Sequence, residues 1–237
     1  MTLVLDAVAH SALAMVRDGS TVGLGTGRAA AAFIAALGAR MRQGFVVTGV
    51  PTSLAAAQLA RAAGIPLAQL QEGHQLDLTV DGADEVAPNL DLLKGRGGAL
   101  VRERIVAAAS KRQVILVGHD KLVHALGARE DVPVEIIPMA APLVTDRLRL
   151  LGVRPTLRMS ADGTAPFVTE NGNLTLDCRL PGPLVGGAAA RQMEAALRSI
   201  PGVVDTGFFL GTAERVLVGY SDGRVDVLVR RDQDGEA

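Results

Sequence analysis

The 237-residue sequence has a single cysteine, Cys178, no tryptophan, and aromatic residues at only 3%. One cysteine excludes an intramolecular disulfide and fits a reducing, cytoplasmic compartment. Cys178 itself reads as a small buried hydrophobe. So few aromatics leave no material for a base-stacking platform or an aromatic sugar-binding surface. The formal net charge is −1 and no basic block stands out, which argues against a nucleic-acid surface. No apolar run reaches the ~18 residues a membrane span needs. The first residues, MTLVLDAVAH, carry Asp6 and no basic stretch, so they do not read as a secretory signal. His10, His74, His119 and His124 show no metal-ligand spacing, and no metal site is expected. There is no G-x-S-x-G element and no paired Cys/His to argue for covalent catalysis.

What is present is alanine, glycine and valine in alternating strand and helix patterns. Leu5–Val16 reads as an amphipathic helix, Ser20–Leu24 as a strand and Arg28–Met41 as an alanine-rich helix. Phe45–Val50 reads as a strand, followed by a helix that Thr52 or Ser53 caps and Gly64-Ile65-Pro66 ends. Strands at Leu76–Val80 and Val114–Val117 flank a helix over Gly97–Ala109. This alternation predicts an α/β fold with an open, mostly parallel, Rossmann-like sheet and helices on both faces.

After residue ~120 the pattern changes. Strands are expected at Val132–Ile137 and Arg154–Met159 and helices at Ala141–Leu151 and Gly187–Ile200. Phe167–Thr169 and Leu174–Asp177 form a hairpin around Glu170-Asn171-Gly172-Asn173. One strand is expected over Val203–Phe209. Arg215–Val218 and Val225–Val229 then return to the first sheet, and Asp232–Ala237 reads as a frayed polar end. The expected organisation is a catalytic α/β domain (1–130 and 206–237) with a smaller inserted α+β domain (131–205).

The most informative stretch is TVDGADEVAPNLDLLKGRGGALVRERI, Thr79–Ile105. It gathers Asp81, Asp84, Lys94 and Glu103 around a glycine-rich turn. Moving a proton next to a sugar carbonyl needs such a set: a carboxylate base, a cation for the developing oxyanion, and further carboxylates to orient hydroxyls. Gly82 and Ala83, between the two aspartates, let a ligand approach the backbone closely. Gly95, Arg96 and Gly97 read as a phosphate loop or a solvated turn. Glu103 sits near a helix start, where the dipole lowers its pKa, whereas burial beside Asp81 or Asp84 raises it.

Val22–Ala30, VGLGTGRAA, is a strand-to-helix turn whose backbone N–H groups suit an anion. Gly25, Gly27 and Ala30 match a dinucleotide pattern, but the acid expected about 20 residues on is missing, and no G-K-[ST] follows. A phosphate or sugar cradle formed by Thr26, Gly27, Arg28 and Ala29 is the preferred reading. In an open parallel sheet the carboxyl ends of the strands form the ligand crevice. Gly25–Arg28, Thr52-Ser53, Asp81–Asp84 and His119–Lys121 all follow strands.

These blocks, with GVPTS (Gly49–Ser53), PVEIIP (Pro133–Pro138), FVTENGNLTLDC (Phe167–Cys178) and IPGVVDTGFF (Ile200–Phe209), resemble the type A ribose-5-phosphate isomerase family nearly end to end. The resemblance implies a cofactor-free interconversion of D-ribose 5-phosphate and D-ribulose 5-phosphate through an enediol. It implies Glu103 as base, Asp81 in ring opening and proton movement between sugar oxygens, and Asp84 and Lys94 on the substrate. It further implies that Thr26, Gly27 and Lys121 line the site, and that the chain forms a homodimer or a tetramer of dimers. Three positions depart from the family pattern: Arg28-Ala29 in place of Ser-Thr, Leu5 or Asp6 in place of a basic residue, and Gly118-His119-Asp120-Lys121 in place of D-x-[ST]-K. Arg28 is expected to take over the phosphate, since a guanidinium grips it with two hydrogen bonds. An isomerase with a shifted sugar-phosphate substrate, and a sugar-phosphate sensor without turnover, remain as alternatives.

Overall fold

The computed structural model describes residues 2–230. In chain order the elements are α1 (Thr2–Leu13), β1 (Ser20–Leu24), α2 (Arg28–Met41), β2 (Val47–Pro51), α3 (Leu54–Ala62), β3 (Leu78–Gly82), β4 (Glu85–Val86), β5 (Leu92–Leu93), α4 (Leu100–Ala108) and β6 (Gln113–Gly118). They continue as β7 (Val132–Ile136), α5 (Ala141–Leu150), β8 (Arg154–Leu157), β9 (Leu174–Arg179), α6 (Gly187–Arg198), β10 (Val203–Thr206), β11 (Phe208–Phe209), β12 (Arg215–Gly219) and β13 (Val225–Val229). The reading of Asp232–Ala237, and the end of the 206–237 segment, lie outside the described residues.

The main sheet has the order β13-β12-β6-β3-β1-β2. All its neighbours are parallel except β13, which runs back against β12. β6 is buried along its whole length, as a central parallel strand covered on both faces must be. α2 buries Ala30, Phe33, Ile34, Leu37 and Gly38, an i, i+3, i+4, i+7, i+8 stripe. Gly38 is required there: a Cβ would lie 2.6 Å from the Ala63 carbonyl oxygen, so only glycine lets α2 and the end of α3 come this close. The chain leaves β1 toward β2 on one side and returns to β3 on the other. The loops after β1 and β3 therefore diverge, which opens a crevice at the carboxyl edge.

The second sheet, β10-β7-β9-β8, is antiparallel and packs with α5 and α6 around Val134, Ile136, Leu148 and Leu176. The expected strand Val203–Phe209 is in fact two. Val203–Thr206 pairs with β7, whereas Phe208–Phe209 pairs with β5 in a small sheet with β4. Gly207 makes the break. Its carbonyl accepts from Lys94 N at 2.8 Å and its N–H donates to the Pro133 carbonyl at 2.7 Å. A Cβ at Gly207 would stand 2.3 Å from the Lys94 carbonyl oxygen. Sequence periodicity does not reveal β4 and β5, because two-residue strands carry no period. They deliver Lys94 to the crevice.

The hairpin turn at Glu170–Asn173 closes as expected, through Thr169 N to the Asn173 carbonyl at 2.8 Å. The helix expected from Gly97 starts at Leu100, because Gly95 and Gly98 take positive φ.

Candidate active site

Asp81 is the penultimate residue of β3, Lys94 follows β5, and Glu103 lies in the first turn of α4. These three meet. The Lys94 ammonium is 3.1 Å from Asp81 Oδ2 and 3.2 Å from Glu103 Oε2, and all three side chains are at most 5% exposed. Among the described residues, those two oxygens have no hydrogen-bond donor besides that ammonium. Lys94 Nζ also donates to the Gly82 carbonyl and lies 5.4 Å from the centre of the Phe209 ring.

Two buried carboxylates around one cation leave an excess negative charge in a dry place. Burial therefore pushes Glu103 up to about 7, helped by Asp81 and opposed by Lys94. Burial also raises Asp81, against the pull of Lys94 and of the Gly82 and Thr26 N–H groups. Burial alone would lower the Lys94 ammonium; the Asp81 and Glu103 charges outweigh it and hold it firmly protonated. The competition at Glu103 between helix start and burial thus goes to burial.

A cavity of about 340 Å³ opens beside this cluster at the carboxyl edge of the main sheet. Thr26, Gly27, Arg28, Ala29, Gly82, Ala83, Asp84, Lys94, Gly95, Gly97, Glu103 and Lys121 line it, so twelve of the fourteen residues singled out from sequence share one cavity. Asp81 and Arg96 do not. Asp81 is fully buried beside Lys94, and its Oδ1 accepts from Gly82 N at 2.7 Å and Thr26 N at 3.1 Å. Gly25 makes room for it: a Cβ there would sit 2.2 Å from that oxygen. The Arg96 side chain points outward to Glu130 at 3.0 Å, but its backbone N–H donates to Asp84 Oδ2 at 3.1 Å.

The turn after β1 is braced from behind. Thr26 Oγ1 lies 2.7 Å from Thr52 Oγ1 and donates to Ser53 Oγ at 2.8 Å, so its hydroxyl faces inward. Thr52 and Ser53 stay outside the cavity, and Ser53 caps α3 through Ala56 N at 3.0 Å. Gly27, at φ 101°, opens α2 without a side-chain cap, leaving the helix's first N–H groups beside Arg28 and Ala29 at the cavity wall.

Val4 from α1 and Ser221 from the β12–β13 turn went unnoticed in sequence; they complete the wall, and only the sheet order brings them there. Leu5, one of the positions that depart from the family pattern, lines it beside them. His119, in a loop expected at the crevice, also lines the cavity, with its ring stacked on Tyr220 at 5.5 Å. Glu85 is fully buried and accepts from Gly127, Arg129 and Glu130 N–H groups at 2.6–2.8 Å, which fixes the loop carrying Glu130. Its place in DGADE was the available signal. Among the described residues no group of three or more His, Cys, Asp or Glu is placed to hold a metal ion. No helix among them is long and apolar enough to cross a membrane.

The chain matches the family model described as ribose 5-phosphate isomerase A (phosphoriboisomerase A) over residues 48–223. It is 46% identical to the ribose-5-phosphate isomerase A of Roseiflexus sp. strain RS-1, covering 92% of this chain and 93% of the relative. It superposes on ribose 5-phosphate isomerase A of Methanocaldococcus jannaschii with a TM-score of 0.88 at 38% identity, covering 96% and 98% of the two chains. A D-ribose-5-phosphate isomerase solved in complex with phospho-erythronic acid gives a TM-score of 0.90 at 38% identity, with the same coverage. A family match across most of the chain and relatives this similar from end to end leave one assignment: the chain belongs to the ribose 5-phosphate isomerase A family.

Proposed function

We propose that this chain interconverts D-ribose 5-phosphate and D-ribulose 5-phosphate, with Glu103 as the base. The observation that carries this is a cavity-lining carboxylate held near pKa 7 beside a buried ammonium. A general base works best when its pKa lies near the operating pH, and such bases contribute typically 10²–10⁴-fold. Glu103 takes the proton from C2 of the open-chain aldose. The C–H electron pair becomes the C1=C2 bond, and the carbonyl pair moves to O1, where Lys94 stabilises the oxyanion by ~3–4 kcal/mol. The O2 proton then passes to O1, C2=O forms, and Glu103 returns its proton to C1. The step is redox-neutral and draws on no external electron acceptor.

Asp84, on the cavity wall, is the group for moving protons between O1 and O2. Asp81, buried beside Lys94, acts by holding that ammonium in place. The phosphate goes to the α2 start with Arg28 and Lys121, and serves to hold the sugar without reacting. The related enzyme was solved with phospho-erythronic acid, a phosphorylated sugar acid whose carboxylate is an anion like an enediolate, which supports this class of substrate and chemistry. The test is an isomerisation assay in deuterated water. Deuterium should enter at the transferred position during turnover, and Glu103→Gln should lose several orders of magnitude in kcat. Turnover without exchange, or a near-normal variant, refutes the role.

The altered turn, Arg28-Ala29, favours a second reading in which the preferred sugar phosphate has shifted. Relative kcat/KM over a panel of aldose phosphates and free pentoses separates the two. We further propose residues 131–205 as the smaller unit, a homodimer or tetramer of dimers, and a cytoplasmic setting. Met139, Leu143 and Leu150 are exposed along α5 and just before it, which supports association, and sedimentation at several concentrations tests it.

A further inference from the structure

Arg158 follows β8 in the smaller sheet and does not line the cavity. Its backbone is fixed on both sides: its N–H donates to the Thr175 carbonyl and its carbonyl accepts from Phe167 N, each at 2.9 Å. Its guanidinium is 14% exposed and lies against Asp177, which takes hydrogen bonds from both Nε (3.0 Å to Oδ2) and Nη2. That leaves Nη1, which donates to the Gly95 carbonyl at 2.9 Å and the Arg96 carbonyl at 3.2 Å. These are consecutive peptides of the loop that joins Lys94 to α4.

In a trans peptide the N–H points opposite to the C=O. By gripping the two carbonyls, Arg158 turns the N–H groups of Arg96 and Gly97 the other way, toward the crevice. The first of them is the donor that reaches Asp84 Oδ2 at 3.1 Å. The second belongs to a residue of the cavity wall. A ring supports the grip: Phe167 lies where a Cβ on Gly98 would come within 2.4 Å of it. The Arg158 cation is 5.9 Å from the centre of that ring.

We propose that Arg158 is a positioning residue for the isomerase: aligned by Asp177, it sets two loop peptides whose N–H groups orient Asp84 and the cavity wall. This rests on the isomerase reading above. The smaller sheet thereby acts on the chemistry without touching substrate. A lysine cannot replace the grip, because one ammonium does not match a carboxylate with two parallel bonds while also donating to two carbonyls.

The test compares Arg158→Ala and Arg158→Lys with the unaltered enzyme. It reads kcat, KM for ribose 5-phosphate, affinity for phospho-erythronic acid, and amide exchange at Arg96 and Gly97 by NMR. A misplacement of ~1 Å at a reacting group costs up to about 10²-fold, so kcat should fall about 10–100-fold in Arg158→Ala while KM moves less than about threefold. Exchange at the Arg96 amide should speed up, and Arg158→Lys should recover only part of kcat. A folded Arg158→Ala with kcat within about twofold of the parent, or with unchanged Arg96 exchange, overturns the proposal. If Arg158→Ala does not fold, Arg158→Lys and Asp177→Asn carry the same readouts. An unaltered protein that fails to isomerise ribose 5-phosphate refutes the isomerase reading instead, and amide exchange alone then decides the positioning role.

Discussion

Replacing Glu103 by glutamine should abolish turnover and make the protein more stable at alkaline pH. The reasoning starts from burial. Unfolded, this carboxyl titrates at 4.5; folded, it is held up to about 7. A folded-state pKa above the unfolded one means the native protein binds the proton more tightly. The contribution of this group to stability is therefore fully present below pH 4.5 and lost as pH rises through 7. At ~1.36 kcal/mol per pKa unit, the rise from 4.5 to about 7 amounts to at most about 3 kcal/mol. Glutamine keeps the shape and removes the charge. Its stability relative to the parent should thus be flat below pH 4.5, climb between pH 4.5 and 7, and level off above.

The assay is urea unfolding of both proteins at fixed concentration from pH 4 to 9, since subunit association would otherwise enter the measured stability. The same pKa should appear in function: kcat/KM of the parent should fall below about pH 7 as the free enzyme's base becomes protonated. A stability difference that is independent of pH, or that favours the parent increasingly toward alkaline pH, would refute the account. It would mean that Lys94 stabilises the ionised carboxylate by more than burial penalises it. A protein that is more stable without its base is the expected signature of a site strained for function.

Lys94→Met removes the only ammonium between Asp81 and Glu103, and breaking a buried ion pair this way costs about 3–5 kcal/mol. The loss in urea midpoint should be largest at neutral pH and shrink toward pH 4, as Glu103 becomes neutral and the raised pKa of Asp81 brings it too toward protonation. Gly25→Ala drives a Cβ to 2.2 Å from Asp81 Oδ1, so kcat should drop at least about tenfold; normal kinetics would show that Asp81 has no role in placing Lys94. Arg28→Ala should raise KM for ribose 5-phosphate about 10–100-fold, the value of a charge-assisted hydrogen bond of ~1.5–3 kcal/mol, and leave kcat nearly intact. An unchanged KM removes Arg28 as the phosphate anchor.

Apart from the two-residue strands β4 and β5, strand and helix positions through α4 were legible because their causes are local. A run of four apolar residues, Val114–Val117, between turn residues makes β6, and an alanine helix with a phenylalanine-isoleucine-leucine stripe makes α2. Site membership was legible for a related reason. In a parallel sheet every loop after a strand emerges at one edge, so DGADE, the glycine turn after β1 and the loop after β6 had to face one another. Depth was not legible. Asp81 and Asp84 are three residues apart and chemically identical, yet one is fully buried and the other faces the cavity. The difference arises because the chain turns out of β3 at Gly82, while Gly25, just past the end of the neighbouring strand β1, leaves a space that the Asp81 carboxylate fills.

Arg158 poses the harder case. Nothing in RPTLRMS marks its second arginine, Arg158, as special, because an arginine at the end of an edge strand reads as a solvated charge. Its partners lie 19 residues away at Asp177 and about 60 away in the glycine loop. What could have hinted at it is the loop itself. Gly95 and Gly98 take positive φ, and the Gly95 and Arg96 carbonyls of this turn meet the smaller sheet, where they need donors from it. A glycine-rich loop set against a second sheet therefore calls for a multi-donor side chain on that sheet, and guanidinium is the group that can answer a carboxylate and two carbonyls together. The same logic says where a compensating change would have to arise if Arg158 were lost: at Thr156 or Asp177, the pair facing each other across β8 and β9 beneath the loop.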